Sequence, residues 1–416
     1  MAELTTRTYF DHAATTPVHP AVLEAVTDVL KNSYGNPSSF YREGQTASHL
    51  LAEARATIAR LIGASDASEI IFTASGSEAD NHAIKGVCEA YAGKGRHLIT
   101  STVEHHAVLH TMQHMEKQGF EVTYLDVDRT GQVDPDAVRQ AIRPDTILVS
   151  IMTANNEIGT INPIREIGAV CREKGVLFHT DAVQALGAIP FDAADLQVDL
   201  ASFSAHKLYA PKGIGALYVR RGIRLGRLID GGAQERNRRA GTENVAFAVG
   251  FAKALGLAVD HMEENRVRLT AMRDRLIEGL RSIPHTKLNG HPTKRLPNNV
   301  NVSFEFIEGE SILLLLDAKG YMCSSGSACT SGSLDPSHVL LAIGMPHEVA
   351  HGSLRVTLGH GNTPADIERF LADVPAIIKR LRDISPLYAD YAKGNIRNLI
   401  SEASNDDTLL ETSYAI

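Results

Sequence analysis

Between Glu69 and Val219 short apolar, β-branched-rich runs recur: EIIFT (69–73), HLIT (97–100), EVTYL (121–125), TILVSI (146–151), VLFHTD (176–181), DLASFS (199–204) and GALYV (215–219). Each has the length of a strand. Most are separated by segments with apolar residues at helical spacing, as in Ser77–Tyr91, Ala107–Gln118 and Pro163–Lys174. Strands alternating with helices predict a mostly parallel sheet covered on both faces, wound through right-handed crossovers. The last runs follow one another with little room for helices, so antiparallel pairing is expected there.

Asn244–Ile283 is a long helical stretch rich in Ala and Leu, placed to link two domains. Beyond it the texture changes. NNVNVSFE, YMCSS and SLRVTLG read as strands, and GESILLLLDAKG and Pro364–Asp383 as helices, which together predict a smaller α+β domain. After Ser385 the apolar repeats thin out, and the tail is expected to be only partly ordered.

The chain has 416 residues, 44% hydrophobic and 22% charged, with a formal charge of −8. That balance buries a large core and excludes wholesale disorder. A mildly acidic chain does not point to nucleic acid or an anionic membrane as its partner. The longest nearly apolar stretch, Ala246 to Val259, is too short to span a bilayer and contains Lys253. The start, MAELTTRTYF, lacks the basic head and apolar run of a signal peptide. A cytoplasmic protein is the expectation. The cysteines are Cys88, Cys171, Cys323 and Cys329, too few for a disulfide framework and without metal-type C-x-x-C spacing. Cys329 differs from the rest: it sits in SSGSACTSGS, a run of small polar residues where a thiol is expected to be accessible.

Several segments carry candidate chemistry. Asp181 closes a predicted buried strand, with Gln184 three residues on; ligands of parallel sheets bind beyond such strand ends. The alternative for Asp181 is a helix cap or a loop carboxylate. Ser204, His206 and Lys207 follow another strand end. The hydroxyl and imidazole suit a phosphate ester, and the amine suits a Schiff base with an aldehyde. Pyridoxal phosphate needs both, plus an acid facing its ring nitrogen. Asp181 is placed to be that acid. Gly76 and Ser77 open a helix whose N-terminus would attract phosphate, although capping by Ser75 or Ser77 would account for the same residues. His105 reads as a helix cap or as a ring stacking on a planar cofactor. GGAQERNRRAGTEN is too polar for core. Arg355 interrupts a strand and is either surface decoration or a grip for a substrate carboxylate.

Taken in order, SGSEADN, EHHAV, NNEIGT, HTDAVQ, SAHKLYAPKGIG, RAGTEN, SSGSACTSG and LRVTLG resemble the cysteine desulfurases, fold-type I pyridoxal-phosphate enzymes of the class V aminotransferase group. The likeness runs from YFDHAATTP to LRDISPLYADYAKG. The SSGSACTSGS loop is similar to that of the first desulfurase group, which serves iron–sulfur cluster assembly and nitrogenase maturation. The resemblance implies an α/β fold with a seven-stranded, mostly parallel sheet. It implies a large cofactor-binding domain over residues 16–258, a small domain over 1–15 and 259–385 carrying the catalytic cysteine loop, and a candidate partner-binding tail over 386–416. It also assigns roles. Lys207 is the Schiff-base lysine, Asp181 pairs with the ring nitrogen, Gln184 bonds the ring hydroxyl and His105 stacks on the ring. Gly76, Ser77, Ser204 and His206 hold the phosphate. Thr242 reaches the phosphate bound by a partner subunit, which implies a homodimer. Asn156 and Arg355 bind the substrate carboxylate, with Asn156 also beside the cofactor, and Cys329 is the nucleophile. Ser77 keeps the hydroxyl of the more familiar threonine, whereas Ala233 and Asn237 stand where glycine is expected. Asparagine tolerates a left-handed backbone better than most residues.

The implied reaction converts L-cysteine to L-alanine and leaves a persulfide on Cys329 for an iron–sulfur scaffold protein or another sulfur acceptor. His105 is the candidate base for the Cys329 thiol, with the substrate amine and Lys207 as competitors. A transaminase, a cofactor-free sulfur-transfer scaffold and a selenocysteine lyase are the rival readings.

Overall fold

The computed structural model describes residues 7–325, 336–395 and 397–400. Its centre is a seven-stranded sheet in the order Ile70–Thr73, Gly215–Val219, Leu200–Ser204, Leu177–Asp181, Thr146–Ser150, His97–Ser101, Glu121–Leu125. Five strands run parallel from Leu200–Ser204 to the Glu121–Leu125 edge. Gly215–Val219 is antiparallel to both of its neighbours. Its reversal has a local cause: only the short turn Ala205–Lys207 and a loop separate it from the preceding strand, too little chain for a crossover helix. Because Ile70–Thr73 is itself antiparallel to Gly215–Val219, it points the same way as the parallel set. The carboxyl ends of six strands therefore share one edge of the sheet, and the loops leaving that edge carry the candidate site.

The inner strands are buried except at Leu177, and the edge strand Ile70–Thr73 is buried too, which explains their continuous apolar runs. Glu121–Leu125, at the edge, is partly exposed, running from exposed Glu121 to buried Leu125. One face packs with residues of the helices Pro20–Asn32, Arg42–Leu61 and Val245–Asp260. The other packs under Gly76–Tyr91 and His106–Lys117.

A second core gathers Phe10, Leu276, Val302, Leu354 and Phe370. It lies on a three-stranded antiparallel sheet, Ser353–Thr357, Asn299–Phe304, Thr286–Leu288. Thr8–Tyr9 pairs in parallel with Tyr321–Met322, so the start of the chain belongs to this second body. The long helical stretch is not one rod. It divides into Val245–Asp260, packed on the first core, and Met262–Arg281, packed on the second, with a 69° bend between them. The apolar stripe must change partner at that point, and His261 leaves helical geometry there.

Part of the segment after Ser385 is among the described residues. Pro386–Ala392 forms a helix whose Tyr388 and Tyr391 rings pack on Phe306. The Leu399 and Ile400 N–H groups both donate to Glu305 Oε1, at 2.5 and 3.3 Å. Aromatic contacts and backbone capping order this stretch, and neither leaves a helical apolar period. Residues 401–416 lie outside the described residues. Among the described residues no single helix is long and apolar enough to cross a membrane.

Candidate functional site

Ser75 ends the loop after Ile70–Thr73 and caps the helix Gly76–Tyr91 by accepting the Glu78 N–H at 3.1 Å. The cap is thus Ser75, which leaves Ser77 exposed and free of capping duty. Gly76 is pressed against two other strand ends. A Cβ there would stand 2.7 Å from Val183 Cγ2 and 3.2 Å from Ser204 Cβ. Only glycine lets the helix N-terminus come this close to Ser204, and a helix N-terminus so placed is suited to an anion.

Lys207 closes the turn Ala205–Lys207 directly beyond Leu200–Ser204. Its Nζ donates to the Ala13 carbonyl at 2.5 Å and the Ala14 carbonyl at 2.7 Å. Gln184 Nε2 donates to the same Ala13 oxygen at 3.0 Å. His206 is tied to the same stretch, its Nδ1 lying 3.1 Å from Thr15 Oγ1 and its carbonyl accepting the Thr16 hydroxyl at 2.8 Å. The backbone of AATT, to which the sequence attached no role, thus holds three candidate residues in register.

Asp181 is the last residue of Leu177–Asp181 and is buried. Its Oδ1 accepts the Val183 N–H at 2.9 Å, so the loop-carboxylate reading describes one of its contacts. Burial pushes its pKa up to about 6, opposed by that N–H and by Lys207. Two further acids lie near it. Asp80, one turn into the helix that starts at Gly76, is 1% exposed, and its Oδ1 accepts no hydrogen bond among the described residues. It stands 3.7 Å from His179 Nε2. That imidazole, two residues before Asp181, is held between Ser150 Oγ at 2.8 Å and Ser202 Oγ at 3.0 Å, and burial pushes it down to about 3. Glu104 Oε1 accepts the Ser101 hydroxyl at 2.7 Å and the Met152 N–H at 2.9 Å, while Oε2 has no partner among the described residues. Burial raises Glu104 to about 8, and burial with the Asp181 and Glu104 charges holds Asp80 well above the usual carboxylate range. Asp181 therefore ionises at a lower pH than Glu104, and the raised Asp80 is disfavoured as an anion beside it, so negative charge is favoured on Asp181, the group suited to a ring N–H⁺. Asp80 left a trace in the sequence, a charge on the same helix stripe as Ala79, Ala83 and Ile84; Glu104 left none beyond its place beside His105.

The Glu104 assignment has a testable consequence in the cofactor-free protein. A carboxyl whose folded pKa is raised loses stability as pH climbs from its unfolded value, near 4.3, to its folded value. Glu104→Gln keeps an acceptor for Ser101 and Met152 but cannot ionise. The variant should gain on the wild type as pH rises from about 4.3, by at most about 1.4 kcal/mol per pH unit, and level off near the folded pKa. Urea unfolding across pH 4–9 (a range on the order of the two pKa values) measures it; a pH-independent difference would reject the assignment.

His105 caps His106–Lys117, its Nδ1 accepting the Ala107 N–H at 3.1 Å. The ring proton is therefore on Nε2. Burial first, then Lys207, pushes its pKa down to about 4. A neutral, flat imidazole suits stacking on a cofactor ring. It is a weak base with its acceptor nitrogen already engaged, so the geometry favours stacking over the expected deprotonation of Cys329.

Arg355 is not surface decoration. It is 2% exposed in Ser353–Thr357, with one terminal nitrogen 2.9 Å from Asp11 Oδ1 and the other 3.1 Å from the Asn156 carbonyl. Its Nε has no partner among the described residues. A buried guanidinium with an open donor is prepared for a carboxylate. Asn156, itself buried, stands beside it through its backbone. Its neighbour Glu157 accepts the Ser337 hydroxyl at 2.5 Å and is pushed up to about 7 by burial.

Thr242 is exposed, and among the described residues no hydrogen bond joins its side chain to Gly76, Ser77, Ser204 or His206. In the loop leading to it Asn237 is left-handed, with φ 62°, as its residue type suggested. Ala233 has φ −83°, so that position makes no demand for glycine. Cys329, Gly326 and Gly332 lie outside the described residues. Of the other cysteines, Cys88 and Cys171 are buried with thiols pushed up to about 12, and burial and Asp11 raise Cys323 as well.

The residues present fit pyridoxal phosphate. A lysine lies within electrostatic reach of a buried acid, a neutral imidazole caps the helix His106–Lys117, and a glycine-floored helix N-terminus meets a strand-end serine. Comparison with known proteins agrees. The family profile for aminotransferase class-V matches residues 8–370. A cysteine desulfurase IscS of Methanosarcina thermophila is 57% identical over 379 residues, covering 91% of this chain and 94% of that protein. A Clostridium botulinum cysteine desulfurase IscS is 53% identical over 388 residues, covering 92% and 98%. Among solved structures, a NifS-like protein superposes with a TM-score of 0.85 at 38% identity, covering 90% of this chain and 100% of that one. SspA in complex with cysteine gives 0.75 at 39% identity, covering 85% and 99%.

Proposed function

The chain belongs to the aminotransferase class-V family as a pyridoxal-phosphate-dependent cysteine desulfurase, and on that footing we propose how its own residues divide the work. Gly76, Ser77, Ser204 and His206 hold the cofactor phosphate, and Thr242 completes that grip from a partner subunit. Lys207 holds the aldehyde carbon, Asp181 the proton on the ring nitrogen and Gln184 the ring hydroxyl, while His105 stacks on the ring with Asn156 close by. Bound pyridoxal phosphate supplies an electron sink for charge at the substrate Cα. Arg355 and Asn156 fix the carboxylate of L-cysteine. Lys207, once its amine is released, moves the Cα proton. Cys329 Sγ attacks the substrate sulfur: the new S–S bond forms as the substrate Cβ–S bond breaks, and protonation of Cβ yields alanine. Sulfur leaves as the Cys329 persulfide, with no external oxidant or reductant.

The observation that carries this reading is Arg355, buried with an open Nε and bound to Asn156 on one side and Asp11 on the other. Arg355→Lys keeps a charge for Asp11 but loses the fork. Two charge-assisted hydrogen bonds at about 1.5 kcal/mol each predict a KM for cysteine raised on the order of 10²-fold, with a smaller change in kcat. Alanine release at varied cysteine measures it. An unchanged KM would remove Arg355 from the carboxylate site.

The sulfur acceptor is an iron–sulfur scaffold protein or another thiol carrier. A cleft of about 920 Å³ supports a docking face, since Ser325 and Ser337, either side of the Cys329 segment, line it together with Glu308, His351 and Leu399. Exposed aromatic residues at Tyr34, Tyr41 and Phe40, the last 95% exposed, support a homodimer. The two cores support a large domain over 16–258 and a small one over 1–15 and 259–385, with 386–416 as a tail whose Pro386, Leu387, Arg397 and Leu399 line the cleft. A cytoplasmic location fits this assignment.

A further inference from the structure

Glu235, Arg236 and Asn237 occupy the left-handed region in succession, with φ of 46°, 56° and 62°. That conformation is disfavoured for any L residue, least for asparagine, and a run of three persists only where the surroundings impose it. Here the imposing group is buried. The Glu235 carboxylate takes both arms of the Arg55 guanidinium, at 2.6 and 2.8 Å, and its Oε2 also accepts the Phe72 N–H at 3.1 Å. Arg55 is fixed in turn by the Ile70 carbonyl at 2.7 Å and lies over the Phe72 ring, 4.7 Å from its centroid. Both ends of the clamp therefore rest on the strand Ile70–Thr73, which runs directly into the phosphate-side helix. Two further ties continue along the loop. Arg239 grips Glu78 at 2.8 and 3.2 Å, and Gln234 Oε1 accepts the Gly241 N–H at 3.1 Å, one residue before Thr242.

We propose that Arg55 is a positioning residue for the partner subunit's active site: through Glu235 it holds the left-handed turn that presents Thr242 outward. The inference rests on the reading that Thr242 serves the phosphate bound by the other subunit. It gives a purpose to Arg55, remote in sequence from every motif, and to a strained turn that glycine would accommodate more easily. Lysine cannot replace Arg55, because one ammonium cannot span two carboxylate oxygens and the Ile70 carbonyl in a planar fork.

The test uses Arg55→Lys, with Arg55→Met/Glu235→Gln as a second variant that leaves no unpaired charge. Both should keep the wild-type circular dichroism. In the cofactor-free dimer, trypsin should cut after Arg236, Arg238 or Arg239 roughly tenfold faster or more, the loss of about one charged hydrogen bond. Heterodimers then assign the effect. Pairing Arg55→Lys with Lys207→Ala leaves one Lys207, served by an intact loop, and its lysine-bound cofactor should survive dialysis as in the wild type. Pairing wild type with Arg55→Lys/Lys207→Ala leaves one Lys207 served by the altered loop, and cofactor should be lost roughly tenfold faster or more. Equal retention in the two pairings, or an uncut loop in both folded variants, would overturn the proposal. Thr242→Ala in the same pairings separates the premise: if it too shows no dependence on the partner chain, the shared site itself fails, whereas dependence for Thr242 without dependence for Arg55 rejects only the role of Arg55.

Discussion

Lys207→Ala is expected to lower alanine release from cysteine by about 10³-fold or more, the combined loss of a covalent anchor and of a positioned proton carrier. The lysine stands at the end of the Ala205–Lys207 turn with its Nζ fixed by the Ala13 and Ala14 carbonyls, so no other amine is held there. The variant should still retain pyridoxal phosphate. The Gly76 helix N-terminus does not involve the lysine amine, and burial, the largest cause acting on Asp181 and His105, remains without it. Absorption spectra should show the cofactor present but without the lysine-bound band, and chromatography should show no alanine above background. Alanine at the wild-type rate would reject the assignment of Lys207.

Cys329→Ser is expected to separate cofactor chemistry from sulfur transfer. The substituted protein should keep its lysine-bound cofactor and still change spectrum on mixing with cysteine, because Lys207, Asp181 and Arg355 are untouched. It should make no persulfide, and alanine should fall by about 10³-fold, since serine is a far poorer nucleophile toward sulfur than a thiolate. The other cysteines cannot compensate. With thiols pushed up to about 12, Cys88 and Cys171 are thiolate only to about one part in 10⁵ at pH 7, against a few per cent for an unperturbed thiol. Feeding cysteine with radioactive sulfur and mapping the label by peptide mass gives the direct result: label on Cys329 is expected, and label on Cys88, Cys171 or Cys323 would reject it.

The elements that could be read from the chain were those governed by local burial. The runs from Glu69 to Val219 became strands within a residue or two, because a strand covered on both faces must be apolar throughout, and Pro364–Asp383 became a helix over that same span. The 69° break in Asn244–Ile283 was invisible, since both halves keep an apolar stripe and only the change of core between them bends the chain. The packing of Pro386–Ala392 and of Leu399 and Ile400 was invisible for a related reason: it depends on Phe306 and Glu305, far off in sequence.

For the site, sequence alone determined the chemical parts. Lys207 after Ser204 and His206, Asp181 at a strand end, Arg355 within a strand and Cys329 among small polar residues each have a side chain and a local element that suffice to suggest a role. Tertiary structure decided which states those parts adopt. The state of Asp181 depends on burial, the Val183 N–H and Lys207, and its charge in turn raises two buried acids from other elements, Asp80 and Glu104. The weakness of His105 as a base depends on the Ala107 N–H and on Lys207, and the open Nε of Arg355 depends on Asp11 and Asn156 taking its other two arms. The reason is the same throughout: residue type sets what a group can bond, whereas burial and neighbours distant in the chain set the free energy of its charged form, and no local pattern encodes those.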